Sequence, residues 1–317
     1  MRDGERTIRF GEGSAAEASG LLRQGGFDGY TLLTTERAAA AAPLEPASVV
    51  HVPPGLVDEL SAALLPEAGE GPLVALGGGR VIDTAKAIGG VTGALVAAIP
   101  TTLSGAELTP FHRLPEGVEG ARMIRPSLVI ADPELMASAP EHELWASAMN
   151  ALAHGMEALY VPLANPVAEG ATLRGAEAIF AGDLALGAFL CGWASGITGF
   201  AVHHATCQLL VRVAGSPHAQ TNAVMLPHFA ALMAGRAPGV MGELALALGD
   251  QAGDPAAAAG RISKLSARSG HTRLSTLGVE EEQLAQVAAA VMQHPALGNT
   301  PEPPDEAELL ALLRDAL

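Results

Sequence analysis

Residues 147–160, SAMNALAHGMEALY, set Asn150, His154 and Glu157 at i, i+4 and i+7, which on a helix gives the three a common face. An imidazole one turn after an oxygen-bearing side chain suits a metal or polar-substrate site; the same spacing also fits a histidine satisfied within a helical core. A second cluster downstream, His203, His204, Cys207, Gln208, Pro217 and His218, favours the site. His218 follows Ser216 and Pro217, a pair expected to cap and open a helix, so His218 is expected at a positive helix end suited to an anion.

Two further segments carry chemistry of another kind. The apolar run LVAL leads directly into Gly77, Gly78, Gly79 and Arg80, followed by Asp83 in GGGRVIDTAK. Consecutive glycines between a strand and a helix allow backbone N–H groups to approach a phosphate at the helix N-terminus. The run departs from GxGxxG because Ile82 stands where the third glycine belongs, and a plain tight turn is the competing reading. In PTTLSGAELT, residues 100–109, Thr101, Thr102 and Ser104 again follow a strand, at the end where ligands bind in open α/β sheets.

The elements that must position these groups divide the chain in two. Residues 1–139 alternate β-branched runs (30–35, 48–52, 73–76, 94–99, 128–131) with helical stretches at 14–24, 54–65 and 81–88, the pattern of a parallel α/β sheet. From Pro140 the strand signals cease. Helical spacing is expected over 141–160, 166–180, 184–213, 217–234, 239–250, 255–269, 279–293 and 305–316. The expected fold is a Rossmann-like α/β dinucleotide domain, 1–139, followed by an all-helical substrate domain, 140–317.

Composition narrows the partners. A net charge of −16 argues against nucleic acid, since phosphate binding needs a basic face. Cys191 and Cys207 form neither a disulfide framework nor a CxxC pair, and the charged start MRDGERTIRF lacks an apolar core; both features lead us to expect a cytoplasmic protein. Residues 184–202 hold no charge over nearly a spanning length, but their glycines and flanking histidine pair read as a buried helix, so no membrane association is expected. High apolar content with few charges suggests buried oligomer surface, most simply a homodimer.

GGGRVIDTAK, IPTTLSGAELT, ADPEL (131–135), MNALAHGMEALY and the span His203–His228, in that order, resemble the iron-containing alcohol dehydrogenase and dehydroquinate-synthase-like superfamily. The resemblance implies an N-terminal nucleotide domain, a helical C-terminal domain and a nicotinamide cofactor. It places Thr34, Thr35 and Glu36 by the adenosine ribose, where Glu36 favours NADH and the adjacent Arg37 keeps NADPH open. In metal-dependent members an Asp and three His hold a divalent ion; these positions match Asn150, His154, His204 and His218, the last two separated by 218 − 204 = 14 residues as in the family. Asn150 removes the one anionic ligand, so no metal is expected; an Fe or Zn ion, if bound, would rest on the three histidines with Asn150.

Within the superfamily, NALAHGMEALY, ANPV (164–167), His203-His204, Cys207 and NAVMLPH (222–228) resemble the maleylacetate reductase branch. That branch implies NAD(P)H-dependent reduction of a carbon–carbon double bond in aromatic degradation, converting maleylacetate to 3-oxoadipate on a small anionic, carbonyl-bearing substrate. His154, His204 and His218 would then hold carboxylates or polarise the carbonyl, with His203 a candidate proton donor. The chain departs from the branch at Leu103, where a Tyr is usual, and at Gln208, where a His is usual and where an amide cannot shuttle protons. Arg80, His112, Arg113 and Arg212 are further possible counter-charges. The competing functions are an iron- or zinc-dependent alcohol dehydrogenase using the three histidines and a catalytically inactive nucleotide-binding scaffold.

Overall fold

The computed structural model describes residues 1–317, which form two compact units, Met1–Ala139 and Pro140–Leu317. The first is built on a seven-stranded sheet: β1 (Arg2–Asp3), β2 (Arg6–Phe10), β3 (Thr31–Thr34), β4 (Ser48–His51), β5 (Leu73–Gly77), β6 (Val96–Pro100) and β7 (Leu128–Ala131). Its spatial order is β1-β2-β7-β6-β5-β3-β4, parallel throughout except for the antiparallel pair β1–β2. Helices α1 (Ala18–Gln24), α2 (Val57–Leu64), α3 (Gly79–Thr92) and α4 (Pro133–Met136) belong to the same unit.

Both faces of the sheet are covered. Alternate residues of β5 serve opposite cores: Leu73 and Ala75 pack with Ile82, Ala85 and Ile88 of α3, whereas Val74 and Leu76 pack with Leu22, Phe27 and Leu32. The strand therefore reads as a continuous apolar run, the mark of a parallel strand buried on two sides.

Sequence periodicity did not reveal β1 and β2. The segment RTIRF mixes apolar and cationic residues, and Arg6 is itself buried, donating from its guanidinium to the Leu108 carbonyl at 3.2 Å. A buried cation on the inward face hides the alternation that marks a strand.

The connection order reverses between β3 and β5: from β3 the chain goes outward to β4, then returns to build β5, β6 and β7 on the other side. A crevice for ligands forms at the carboxyl ends of strands at such a switch point. Here those ends are Thr34–Glu36 and Gly77–Gly79.

The second unit is helical: α5 (Glu141–Ala158), α6 (Pro166–Ala181), α7 (Leu184–Thr198), α8 (Val202–Ala214), α9 (His218–Arg236), α10 (Pro238–Ala247), α11 (Pro255–Ser266), α12 (Glu281–Val291) and α13 (Glu306–Ala316). The expected single helix over 184–213 is two helices bent by 101°. Gly199, at φ 98° and ψ −166°, takes a conformation reserved for residues without a Cβ and ends α7 there. No single helix is long and apolar enough to cross a membrane. Helices α5, α6 and α7 approach through glycine: a Cβ on Gly155 would lie 2.8 Å from Cys191 Sγ, and one on Gly187 would lie 2.7 Å from the Gly175 carbonyl.

Candidate functional site

Helix α5 carries Asn150, His154 and Glu157 on one face, and the first turn of α8 carries His203 and His204. The bend at Gly199 brings that first turn against α5. The rings of His154 and His204 stack at 3.9 Å with 17° between their planes. Beneath them Glu157, fully buried, takes hydrogen bonds from the amides of His203 (2.8 Å) and His204 (3.4 Å) at Oε1, and from His204 Nδ1 at Oε2 (2.5 Å).

These bonds explain how α8 starts. Its N-cap, Ala201, has no side chain able to accept from the first-turn amides. Glu157 supplies that acceptor from another helix, and its negative charge suits the positive end of α8. Burial pushes the Glu157 carboxyl up, against the opposing pull of His203 and the backbone amides of residues 201, 204 and 203. Burial and the nearby His218 together push His204 down to about 3. We read the pair as a carboxylate accepting from a neutral ring, because two amide donors favour the anion.

The other histidines are held differently. Ser195 Oγ sits 3.2 Å from His154 Nδ1 and donates to the Gly199 carbonyl at 3.3 Å. A hydroxyl has one proton, so with both bonds made His154 Nδ1–H is the donor to Ser195. His203 is fully buried, edge-on to Phe229 at 5.3 Å and 3.8 Å from Cys207 Sγ; burial, then His204, push it down to about 3, so the expected proton donor is a neutral core ring. His218 opens α9, but the expected Ser216 cap is absent: Pro217 holds the cap position, and Ser216 Oγ accepts from Thr221 Oγ1 at 2.8 Å. Asn222 Nδ2 lies 3.4 Å from His218 Nε2 and donates to the His218 carbonyl at 2.8 Å.

As they stand, these side chains do not fit a divalent ion held by the histidine set. Imidazole lone pairs lie in the ring plane, and two rings stacked almost in parallel do not aim them at one point. Glu157, His203 and His204 do bring one potential ligand atom each within 4.8 Å of one another. The carboxylate of that trio is already engaged by the α8 amides and His204 Nδ1, and Asn150 contributes only a neutral amide oxygen.

In the first unit the two motifs predicted separately meet. A Cβ on Gly78 would fall 2.9 Å from Thr102 Cγ2, and one on Gly79 would fall 3.0 Å from Ser104 Oγ, so the loop after β6 lies directly on the N-terminus of α3. No side chain caps that terminus, and the Thr102 hydroxyl is buried without a partner in the chain. An uncapped helix end with an unsatisfied hydroxyl beside it fits a diphosphate. At the neighbouring strand end the Thr34 hydroxyl is spent on the Leu76 carbonyl (2.8 Å) and the Thr35 hydroxyl on the amide of Ala38 (3.3 Å), while Glu36 is exposed. Thr101 follows β6, its amide bonded to the Gly77 carbonyl at 3.0 Å.

Several candidates serve the fold. Asp83 accepts from Lys86 Nζ at 2.7 Å, and the same buried ammonium donates to the carbonyls of Ala106 (2.9 Å) and Phe111 (2.8 Å). His112 uses both ring nitrogens on backbone, Nδ1 with the Arg113 carbonyl (3.0 Å) and Nε2 with the Ile124 amide (3.2 Å), and so is no counter-charge for a substrate. Arg80, Arg113 and Arg212 are exposed. Two functional side chains escaped sequence reasoning. Glu157 was visible at i+7 but carried no role, and Ser195 was hidden inside the uncharged stretch.

Residues 145–317 match the family model described as the C-terminal part of the Fe-containing alcohol dehydrogenase family. The chain belongs to that family. It is 35% identical to maleylacetate reductase 1 of Rhodococcus opacus over 78% of this chain and 73% of the relative. The solved maleylacetate reductase of Agrobacterium tumefaciens superposes with a TM-score of 0.84 at 30% identity, covering 98% of this chain and 96% of the other. Within the iron-containing alcohol dehydrogenase family the chain therefore stands with the maleylacetate reductases, and it is an oxidoreductase. At the level of fold alone it is also similar to the sulfoacetaldehyde reductase of Bifidobacterium kashiwanohense in complex with NAD⁺, with a TM-score of 0.81, 22% identity, and coverage of 100% and 98%.

Proposed function

We propose that this protein reduces the carbon–carbon double bond of maleylacetate to 3-oxoadipate with a nicotinamide cofactor and without a metal ion. The observation that carries the reading is the stacked pair His154–His204 over Glu157, with an amide at position 150: hydrogen-bonded, stacked rings in place of a metal cage with an anionic ligand at position 150. The likeness to maleylacetate reductases supports the substrate.

On this reading Met1–Ala139 holds the dinucleotide and Pro140–Leu317 the substrate. Gly77, Gly78 and Gly79 with the first turn of α3 hold the diphosphate, Thr102, Thr101 and Ser104 line its far side, and Glu36 accepts from the adenosine ribose, which favours NADH. When bound, the cofactor supplies the hydride that goes to one alkene carbon. His204 Nε2, bare at rest, takes up a proton from solvent to give an imidazolium held by Glu157 and passes it to the other carbon, so the reaction balances as one hydride and one proton per double bond. His154 and His218 bind the substrate carboxylates. Gln208, one turn after His204, orients by hydrogen bonding only. A cytoplasmic homodimer completes the proposal, and light scattering tests its mass.

The deciding experiment follows NADH oxidation by purified protein with maleylacetate, with and without chelator, beside metal analysis. Chelator-insensitive turnover by metal-poor protein supports the reading. Stoichiometric iron or zinc with chelator-sensitive alcohol oxidation would overturn it in favour of the metal-dependent alternative.

A further inference from the structure

We propose that Glu157 is the positioning residue of the site: its single carboxylate both starts helix α8 and fixes His204 with its proton on Nδ1, leaving Nε2 as the atom that exchanges a proton with the substrate. The inference rests on the reductase reading for its substrate, but its geometry stands without it.

Three observations carry it. Glu157 and His204 are both buried, and Oε2 lies 2.5 Å from Nδ1, so the ring cannot turn without breaking a bond that no water can replace. The other oxygen, Oε1, accepts from the amides of His203 and His204, so the backbone that carries His204 is held by the same group that holds its ring. His204 Nε2 is buried and has no hydrogen-bond partner in the chain, although a buried imidazole nitrogen seldom goes unsatisfied. With Nδ1 bound, Nε2 is the free reactive end. The flat face of the same ring rests on His154, which removes the remaining freedom to tilt.

The two tasks of Glu157 are separable by chemistry. Glu157→Gln keeps a carbonyl oxygen for the α8 amides but turns an NH₂ group towards Nδ1. Nδ1 must then accept, and the ring's proton moves to Nε2, where giving it up would leave an imidazolate, a far weaker acid than the imidazolium that a carboxylate on Nδ1 supports. A residue with only a structural role tolerates that exchange; a residue that sets the tautomer does not. In a serine-protease triad, swapping the orienting Asp for Asn costs about 10⁴ in turnover for this reason.

The test uses the full-length protein with ¹⁵N-labelled histidine, His204→Gln identifying the His204 signals. In wild type the expected state is Nδ1 protonated and Nε2 bare, with the reverse in Glu157→Gln. Turnover of maleylacetate with NADH is expected to fall at least 100-fold in Glu157→Gln, while KM changes less than five-fold and the melting temperature stays within a few degrees. Glu157→Asp, which keeps the charge, recovers a measurable part of the loss. Wild-type His204 with its proton on Nε2 would overturn the proposal, as would a Glu157→Gln enzyme turning over within three-fold of wild type. The tautomer measurement needs no substrate: a wild type that shows the expected tautomer yet ignores maleylacetate sinks the substrate reading alone. Should Glu157→Gln fail to fold, the wild-type tautomer still decides.

Discussion

His154 and His204 lie face to face at 3.9 Å, and this stacking separates the site from a metal cage built on the same positions. An anionic ligand at position 150 is what the arrangement lacks. Asn150→Asp restores one, and the expected outcome is at least a ten-fold gain in affinity for Zn²⁺, read by calorimetry, with a fall in maleylacetate turnover as the rings swing to meet the ion. Unchanged metal affinity would mean that residue 150 does not set it.

Two glycines of the nucleotide unit should fail in different ways. Gly78→Ala pushes a methyl against Thr102 at the uncapped end of α3, so NADH affinity is expected to drop about ten-fold by fluorescence titration, with a small loss of stability. Gly90→Ala places its methyl 2.0 Å from the Arg122 carbonyl, a backbone atom that cannot move aside. It is expected to cost about 3 kcal/mol in denaturant melts, the upper end of the overpacking range, while the folded fraction binds NADH normally.

Glu107 gives the fold a pH dependence. Its carboxyl is fully buried, and burial pushes it up to about 7 from 4.5, with its own backbone amide and the charges of Lys86 and Arg6 pulling down and that of Asp83 pushing up. Between those values the folded chain keeps a proton that the unfolded chain has released. Stability present below pH 4.5 is therefore lost as pH rises towards 7, by roughly 3 kcal/mol in all. Glu107→Gln removes that slope: its melting temperature should exceed wild type at pH 8 and converge with it near pH 4.5. Parallel curves across this range would rule the assignment out.

Glu36 is the test of cofactor choice. It is exposed at the carboxyl end of β3, beside the switch point, where a carboxylate accepts from a ribose 2′-hydroxyl and repels a 2′-phosphate. Glu36→Ala is expected to shift the ratio of kcat/KM for NADH over NADPH by about ten-fold towards NADPH. No shift would remove Glu36 from the cofactor site.

Much of this molecule is legible before folding. Doubly buried strands such as Leu73–Gly77 read as unbroken apolar runs, and the glycines of 77–79 and the hydroxyls of 101–104 are visible because turns and phosphates demand those residue types. The i, i+4 spacing of Asn150 and His154 is likewise a property of any helix. What sequence could not supply is what depends on groups distant along the chain. β2 stayed hidden because its inward Arg6 is matched by a carbonyl 102 residues away. The break after Thr198 was lost in an apolar run, since a single glycine conformation makes it. Glu157 looked like one more residue on a helical face until the 101° bend delivered the α8 amides and the His204 ring to its two oxygens. Local spacing sets which side chains share a face; only tertiary packing decides which buried donor meets which acceptor, because that pairing is enforced by the exclusion of water from both.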